Sequence, residues 1–262
     1  MNGISLADRV LYRDGLVLVI DKPAGLPVHA GPGGGANLEA LFDGLRFGLP
    51  QPPHLAHRLD RDTSGCLVLG RHAKALRRLG ALFAEGKVGK TYWAVVEGVP
   101  SAAQGQIETG LTKQSHGRGW RMIVDSQGQR AATQYRVLAA AGGRAWLELK
   151  PLTGRTHQIR VHCASLGTPV AGDHAYGRAQ AGRPLLLHAR RIMLPLYPGR
   201  PPLDVTAPPP PHMLAALRGL GYDACFETRP SGAPQREGAL SGVKQLPHPE
   251  RERREQSKDA GR

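Results

Sequence analysis

Residues 57–70 read HRLDRDTSGCLVLG, a polar run that passes without a break into an apolar strand. A strand interior would not tolerate charges at Arg58, Asp60, Arg61 and Asp62, because each would be buried away from water. The polar half therefore reads as a loop at a sheet edge, and loops held by a rigid sheet are common seats of catalytic groups. Asp60 is close in sequence to Arg58 and Arg61, and guanidinium groups that are also close in space favour the ionised carboxylate. An ionised carboxylate can act as a nucleophile or a base. Asp62, Thr63, Ser64 and Gly65 are the residue types of a hydrogen-bonded turn, which is the simpler reading for them. Residue physics alone leaves both Asp60 and Asp62 as candidates for the chemical group.

Outward from this stretch the pattern is mostly strands. Residues 10–22, VLYRDGLVLVIDK, place two apolar runs around Asp14-Gly15, a hairpin signal. Pro23, Pro27 and the glycines from Gly31 to Gly35 then break regular structure, and Asn37 can cap a short helix through Leu38, Leu41 and Leu45. The glycine-rich segment lacks the Lys-Ser/Thr ending of a nucleotide-binding loop and reads better as a flexible covering loop. After the strand at Cys66, Leu76, Leu79 and Phe83 recur at helical spacing within Ala73 to Ala84. Tyr92–Val96, Ala132–Val137 and Ala145–Leu149 are strand candidates, and helices are expected after Gly154, closing on Gly167, and at Met213–Leu220. Strands outnumber helices and arrive in hairpin order, so an α+β domain with a mixed, mainly antiparallel sheet is expected rather than alternating βαβ units.

A second polar cluster, Thr153-Gly154-Arg155-Thr156-His157-Gln158-Ile159-Arg160-Val161-His162, opens the expected helix. Arg155 and His157 lie near its start, where free N–H groups already favour an anion, so a phosphate could bind there. Arg160 is one turn inside, and spacing alone reads it equally well as a surface arginine on an amphipathic helix. Tyr92 follows Lys90 in an otherwise apolar strand, where a packing tyrosine with one satisfied hydroxyl is the plain reading.

The chain of 262 residues carries a formal charge of +14. From Arg229 onward Pro, Gly, Ser, Gln and charged residues dominate, a composition that cannot offset its ordering entropy, so residues 229–262 read as a disordered tail and 1–228 as one folded domain. The tail holds eight Lys/Arg against five Asp/Glu, hence +3, and residues 1–228 keep +11. A basic folded surface suggests a polyanionic partner. The N-terminus lacks a signal-peptide pattern and no stretch is long enough to span a bilayer, so a cytoplasmic location without membrane attachment is expected. Cys66, Cys163 and Cys225 form no CxxC pair, so they are expected to be reduced and buried, without a disulfide framework or a cysteine zinc site.

Taken together, VIDKPAGLPVHAG, HRLDRDTSG, KTYWAVVEG, LTGRTHQIRVH, GTPVAGDHAYG and LLLHARRI, ending near VTAPPPPHM, resemble the RluA-type family of RNA pseudouridine synthases over roughly residues 10–215. The resemblance implies the pseudouridine synthase catalytic fold and an isomerase that turns uridine into pseudouridine in ribosomal or transfer RNA. It implies Asp60 as the catalytic carboxylate, Tyr92 as the active-site tyrosine and Arg160 as the arginine that pairs with the carboxylate. Arg58 matches a residue that helps replace a flipped base, and His57, Arg155 and His157 are placed with it as RNA contacts. No cofactor and no metal are implied. The catalytic pattern starts by about Val10, which leaves no room before it for the small S4-type RNA-binding domain of some relatives. The expected partner is structured RNA, which a monomer would engage without an obligate protein partner. Lys87, Lys90, Lys113, Arg118, Arg121, Arg155 and Arg191 are candidates for phosphate contacts.

Three other readings compete. One is an RNA-binding protein of this fold without catalysis, against which Asp60, Tyr92 and Arg160 stand together. The HRLD run superficially matches the HRD loop of protein kinases, but Leu59 separates Arg58 from Asp60 and no DFG or strand-lysine motif accompanies it. A metal nuclease or two-carboxylate glycosidase would need further carboxylates for which the sequence supplies no clear set.

Overall fold

The computed structural model describes residues 5–31, 34–117, 119–178 and 182–223. The expected tail, Arg118 and Cys225 lie outside these residues. Eleven strands form one mixed sheet: β1 (Val10–Arg13), β2 (Val17–Lys22), β3 (His54–Leu55), β4 (Ser64–Gly70), β5 (Gly89–Glu97), β6 (Gln104–His116), β7 (Gly119–Val124), β8 (Gln129–Ala141), β9 (Arg144–Pro151), β10 (Leu187–Leu194) and β11 (Leu203–Thr206). Among the described residues three α-helices accompany it: α1 (Ala73–Ala84), α2 (Gln158–Ser165) and α3 (Pro211–Gly219). The strand order is β1-β2-β4-β10-β5-β9-β8-β6-β7, with β3 on β4 and β11 on β10. This is an α+β fold.

The hairpin at Asp14-Gly15 forms because the Asp14 carboxylate accepts the amides of Leu16 and Val17, closing the turn between β1 and β2. Asn37 does cap a helical segment, accepting the Ala40 amide, but Glu39–Leu45 is a 3₁₀ helix rather than an α-helix. Its buried residues are Phe42 and Leu45, and Leu41 is exposed. α1 matches its expected bounds, started by the His72 ring accepting the Ala75 amide. α3 begins two residues before the expected Met213, because Pro211 tolerates the first helical turn. Ser64 and Gly65, expected in a turn, are instead the first residues of β4. The turn lies one step earlier, with Thr63 N–H donating to the Asp60 carbonyl.

Both sheet faces are covered, as the alternation of side chains along β4 and β5 shows. Leu67, Leu69, Ala94 and Val96 face a layer built from the 3₁₀ helix and α2, while Cys66, Val68, Trp93 and Val95 face α1 and α3. On the first face Tyr92 touches both the 3₁₀-helix cluster and the α2 cluster, so it marks the join between them.

All described strand pairs are antiparallel except β4 with β10, which run parallel over two register pairs, His188 with Ser64 and Ala189 with Gly65. Gly65 has φ +106, and a Cβ there would come 2.3 Å from the Ala189 carbonyl oxygen, so only glycine fits. The His188 ring locks this seam: Nδ1 lies 2.9 Å from the Ser64 hydroxyl and Nε2 3.2 Å from the Ala207 carbonyl. His162 in α2 is likewise buried, its ring nitrogens bonded to Thr109 and Thr133.

Burial pushes the His162 and His188 imidazoles down to about 4 from 6.5. Both rings are neutral when folded, whereas the unfolded chain takes up protons below 6.5, so stability must fall as pH falls through that window. The loss is about 2 kcal/mol per ring at about pH 5 and approaches about 3 kcal/mol only as pH falls to the folded value near 4. Urea denaturation at about pH 6.5 and about pH 5, above most carboxylate titrations, is expected to show the loss, and His188→Gln should flatten the slope. A slope unchanged by that substitution would remove the ring as its source.

Candidate active site

A cleft of about 900 Å³ opens on the face where the two clusters join. Its walls include residues 27–31, 57–61 and Thr63, Phe83 to Val88 in part, Lys90 and Tyr92 of β5, Leu187 of β10, residues 151–160 and Trp120 of β7. The volume is within the range of small-molecule sites. A larger hollow of about 1100 Å³ lies beside Gly172, Pro184 and His212, but its one lining carboxylate, Glu97, is paired with Arg144. The chemistry is therefore sought in the first. The glycine-rich segment expected to cover a site does border this cleft through Ala30 and Gly31, with Gly31 and Gly34 bridged by a backbone hydrogen bond.

Asp60 sits on the loop that precedes β4, and a buried lysine sets its height. Lys22, wholly inaccessible at the end of β2, donates its three N–H bonds to the carbonyls of Pro23, Arg61 and Thr63 at 2.8, 2.8 and 2.9 Å. Burial lowers its pKa to about 8, while Asp62, Asp60 and Asp21 oppose the shift. Arg61 adds a second tie, its amide oxygen accepting from Gly25 N–H and its Nε donating back to the Gly25 carbonyl. The carboxylate of Asp60 is thereby left about a quarter exposed, 26%, in the cleft.

Opposite it, α2 presents Arg160. The surface-arginine reading fails: Gln158 through Cys163 are all buried, and the Arg160 side chain is 7% exposed. Its Nε and Nη2 form a two-pronged pair with Asp173 at 2.7 and 2.9 Å, and Nη1 reaches Asp60 Oδ2 at 3.7 Å. Asp173 is fully buried and also accepts the amides of Ala175 and Tyr176. Burial alone would raise its pKa, but Arg160 and those amides hold it below the usual carboxylate value. Arg160 in turn is raised, since Asp173 and Asp60 outweigh its own desolvation.

His157 begins α2 in the left-handed conformation, φ 52, and its ring packs among three partners. Nδ1 is 2.7 Å from the Tyr176 hydroxyl, which also accepts the Met122 amide at 3.0 Å. A phenol donating to Nδ1 leaves the neutral ring's proton on Nε2, which lies 4.0 Å from Asp60 Oδ2. Burial lowers the His157 pKa against the pull of Asp60, with Arg160 adding to the fall. Trp120 stacks on the same ring at 5.2 Å. Tyr92 is pushed well above its ordinary pKa by burial, then by the Asp60 charge, so its phenol keeps its proton at neutral pH. His57 borders the cleft, but its Nε2 accepts the Val68 amide and its ring stacks on Phe83 at 4.7 Å; burial keeps it neutral, with a pKa of about 4. Arg58 is exposed at the cleft, and Arg155 lines it with Nε donating to the Arg130 carbonyl.

Of the expected phosphate contacts, Lys90 lines the cleft but donates to the Thr153 carbonyl, and Lys113 lies over Trp120. Lys87 is paired with Glu85 and Arg191 with Asp204, and neither lines the cleft. Sequence reasoning did not single out Lys22, Gln158, Asp173, Tyr176 or Trp120. Gln158 seats the loop before α2, its oxygen accepting from the Thr153 hydroxyl and the Arg155 amide and its nitrogen donating to Ala132 and Thr133. The available signals were a lysine between an apolar strand and Pro23, and an aspartate directly after Gly172, whose φ of +80 and 1.9 Å Cβ approach to the Pro184 carbonyl admit no side chain. Among the described residues no group of three His, Cys, Asp or Glu could hold a metal, and no helix is long and apolar enough to cross a membrane.

Residues 16–165 match the family described as RNA pseudouridylate synthase. The chain is 44% identical over 221 residues to an uncharacterized RNA pseudouridine synthase of Zymomonas mobilis, covering 83% of this chain and 99% of that protein. It is 36% identical over 190 residues to ribosomal large subunit pseudouridine synthase D of the same organism, covering 69% of this chain and 59% of that protein. Among solved structures, human RNA pseudouridylate synthase domain containing 4 superposes with a TM-score of 0.70 at 29% identity, covering 82% of this chain and 94% of that one.

The two carboxylates that meet Arg160 should behave oppositely when neutralised. Asp173→Asn leaves a buried cation without its main partner and is expected to lower unfolding stability by about 3–5 kcal/mol. Asp60→Asn, partly solvated and 3.7 Å from Arg160, should change it by less than about 1 kcal/mol. Urea melts of the two variants decide this, and equal losses would mean that Asp60 is a structural group.

Proposed function

Since the chain belongs to the RNA pseudouridylate synthase family and is thereby an isomerase, we propose that it converts specific uridines of ribosomal or transfer RNA to pseudouridine, with Asp60 as the catalytic carboxylate. The observation that carries this reading is the arrangement around Asp60: a partly exposed carboxylate in a cleft, facing an arginine whose other edge is fixed by buried Asp173. Ribosomal RNA is favoured by the likeness to the large subunit synthase.

The isomerisation breaks the N1–C1′ bond, turns the uracil and joins C5 to C1′, with no group gained from solvent. Asp60, facing Arg160 across the cleft, attacks C1′ or C6 of the base, or assists removal of the 2′ proton, so that the ring can rotate. Tyr92 supports the uracil with a neutral phenol, and a pKa held that far above neutrality makes contact with the base its main role. His157 offers Nε2–H beside Asp60 as a donor. A uracil in folded RNA must first leave its stack, at about a few kcal/mol, and exposed Arg58 is the group placed to fill the gap. The proposal includes a monomer working in the cytoplasm without a cofactor.

Pseudouridine mapping of ribosomal and transfer RNA from cells lacking the protein tests this directly. One or more sites should vanish, return with wild type, and stay absent with Asp60→Asn. Sites that all persist, together with purified protein that modifies no RNA from those cells, would leave a catalytically silent RNA binder.

Binding should also depend on salt. Each phosphate neutralised by a cleft cation releases counterions, so affinity is expected to fall at least about tenfold between roughly 50 and 200 mM salt. An affinity indifferent to salt in a filter-binding assay would remove the phosphate contacts from the reading.

A further inference from the structure

The chain has three tryptophans, and two are in the core: Trp93 is 5% and Trp146 1% exposed, edge to face at 4.7 Å. Trp120 is different. It is 44% exposed on β7, the last strand of the sheet order, and its ring forms part of the cleft wall that contains Asp60. Burial does not account for its position, since an indole left that open forfeits much of its apolar gain.

The strand that carries it is fastened to the catalytic wall at two points. Trp120 stacks on His157, and two residues on, Met122 donates its amide to Tyr176. Lys113, diagonal to Trp120 across the β6–β7 pair, holds its ammonium 4.6 Å from the ring centre. The charges along this stretch of the sequence are of one sign. Residues 109–124 include Lys113, Arg118 and Arg121 and contain no Asp or Glu. An exposed aromatic ring among cations, on an arm beside the reaction cleft, has the chemistry of a single-strand nucleic-acid contact, where a base stacks on the ring and the cations take the phosphates.

We propose that Trp120 and Lys113 form a nucleobase subsite separate from the pocket for the reacting uridine. It takes an unpaired base adjoining the target in the same strand, and Lys113 moves from the ring to the phosphate as the base stacks. This rests on RNA being the substrate, as proposed above, and adds to that reading a residue that selects which uridines are reached: those with an unpaired neighbour within reach of the arm. Because the indole stacks on His157, occupancy of the subsite also fixes the ring that faces Asp60.

The test uses the full chain and its intrinsic fluorescence, to which Trp120 contributes the exposed indole. A short oligouridylate should quench the emission saturably, an abasic strand of equal length should bind with little quenching, and Trp120→Phe should abolish the quench while still binding. Trp120→Ala should weaken oligouridylate binding about 5- to 150-fold, the range for losing one base stack. It should raise KM for the RNA identified by mapping more than it lowers kcat, and Trp120→Phe should restore most of that loss. Equal quenching by base-bearing and abasic strands, or unchanged affinity and KM in Trp120→Ala, overturns the subsite while leaving the isomerase reading intact if wild type still makes pseudouridine. A blue shift that grows with protein concentration and not with RNA would assign the indole to self-association and overturn it too. Failure of wild type to bind any RNA removes the premise along with the subsite.

Discussion

The structure depends on a parallel contact only two residue pairs long. β4 meets β10 at Ser64 and Gly65 and nowhere further, after which the same edge of β10 passes to β11. This contact joins β1, β2 and β4 to the rest of the sheet, and it is possible because Gly65 lets two backbones approach where any Cβ would collide. So brief a seam cannot fill the space in front of it. The chain entering β4 runs over that space as the loop 57–63, and the cleft is the gap between this loop, β5 and α2. Asp60 is in the cleft because of where the two halves of the sheet meet. Lys22, at the end of the neighbouring strand, fixes how far the loop stands from the seam by donating to the carbonyls of Pro23, Arg61 and Thr63.

The same economy governs the charges. A lone arginine buried beside Asp60 would be costly and would hold the carboxylate in a tight pair, unavailable for reaction. Asp173 resolves both problems. It takes the two-pronged edge of the guanidinium, leaving Asp60 one nitrogen at 3.7 Å. The carboxylate then has a positive neighbour without the short hydrogen bonds that would restrain it. Tyr92 lies at the join between the two core clusters, so its ring is positioned by packing and its proton is retained by burial.

Much of this was legible in the chain. The hairpin at Asp14-Gly15, the bounds of α1 and the strands at Tyr92–Val96 and Ala145–Leu149 follow from local patterns, and the structure forms each of them. What the sequence hid was long-range. Arg160 sits in a helix buried on every side, which leaves no amphipathic stripe to read, so spacing could not separate a core cation from a surface one. Asp173 acquires meaning only when α2 folds against residues 168–178. The Ser64-Gly65 pair has the composition of a turn and becomes strand because β10, more than 120 residues later, supplies the partner. Trp120 carries no local signal either, since an aromatic residue in an edge strand is equally at home as packing.

The net charge gains a direction from the fold. Acidic residues away from the cleft are largely paired with cations: Glu97 with Arg144, Glu108 with Arg130, Glu148 with Arg136 and Lys150, Asp204 with Arg191. Exposed pairs of this kind contribute little to stability, but each withdraws a cation from the long-range field. Among the described residues lining the cleft the balance is reversed, with Asp60 as the carboxylate against Arg58, Arg61, Lys90, Arg155 and Arg160. Arg160 is paired with Asp173 and Arg61 lies 3.9 Å from Asp62, so the cleft's excess of positive charge is carried by Arg58, Lys90 and Arg155. A polyanion drawn to that field arrives at Asp60, and its own negative charge is what the surrounding cations lack.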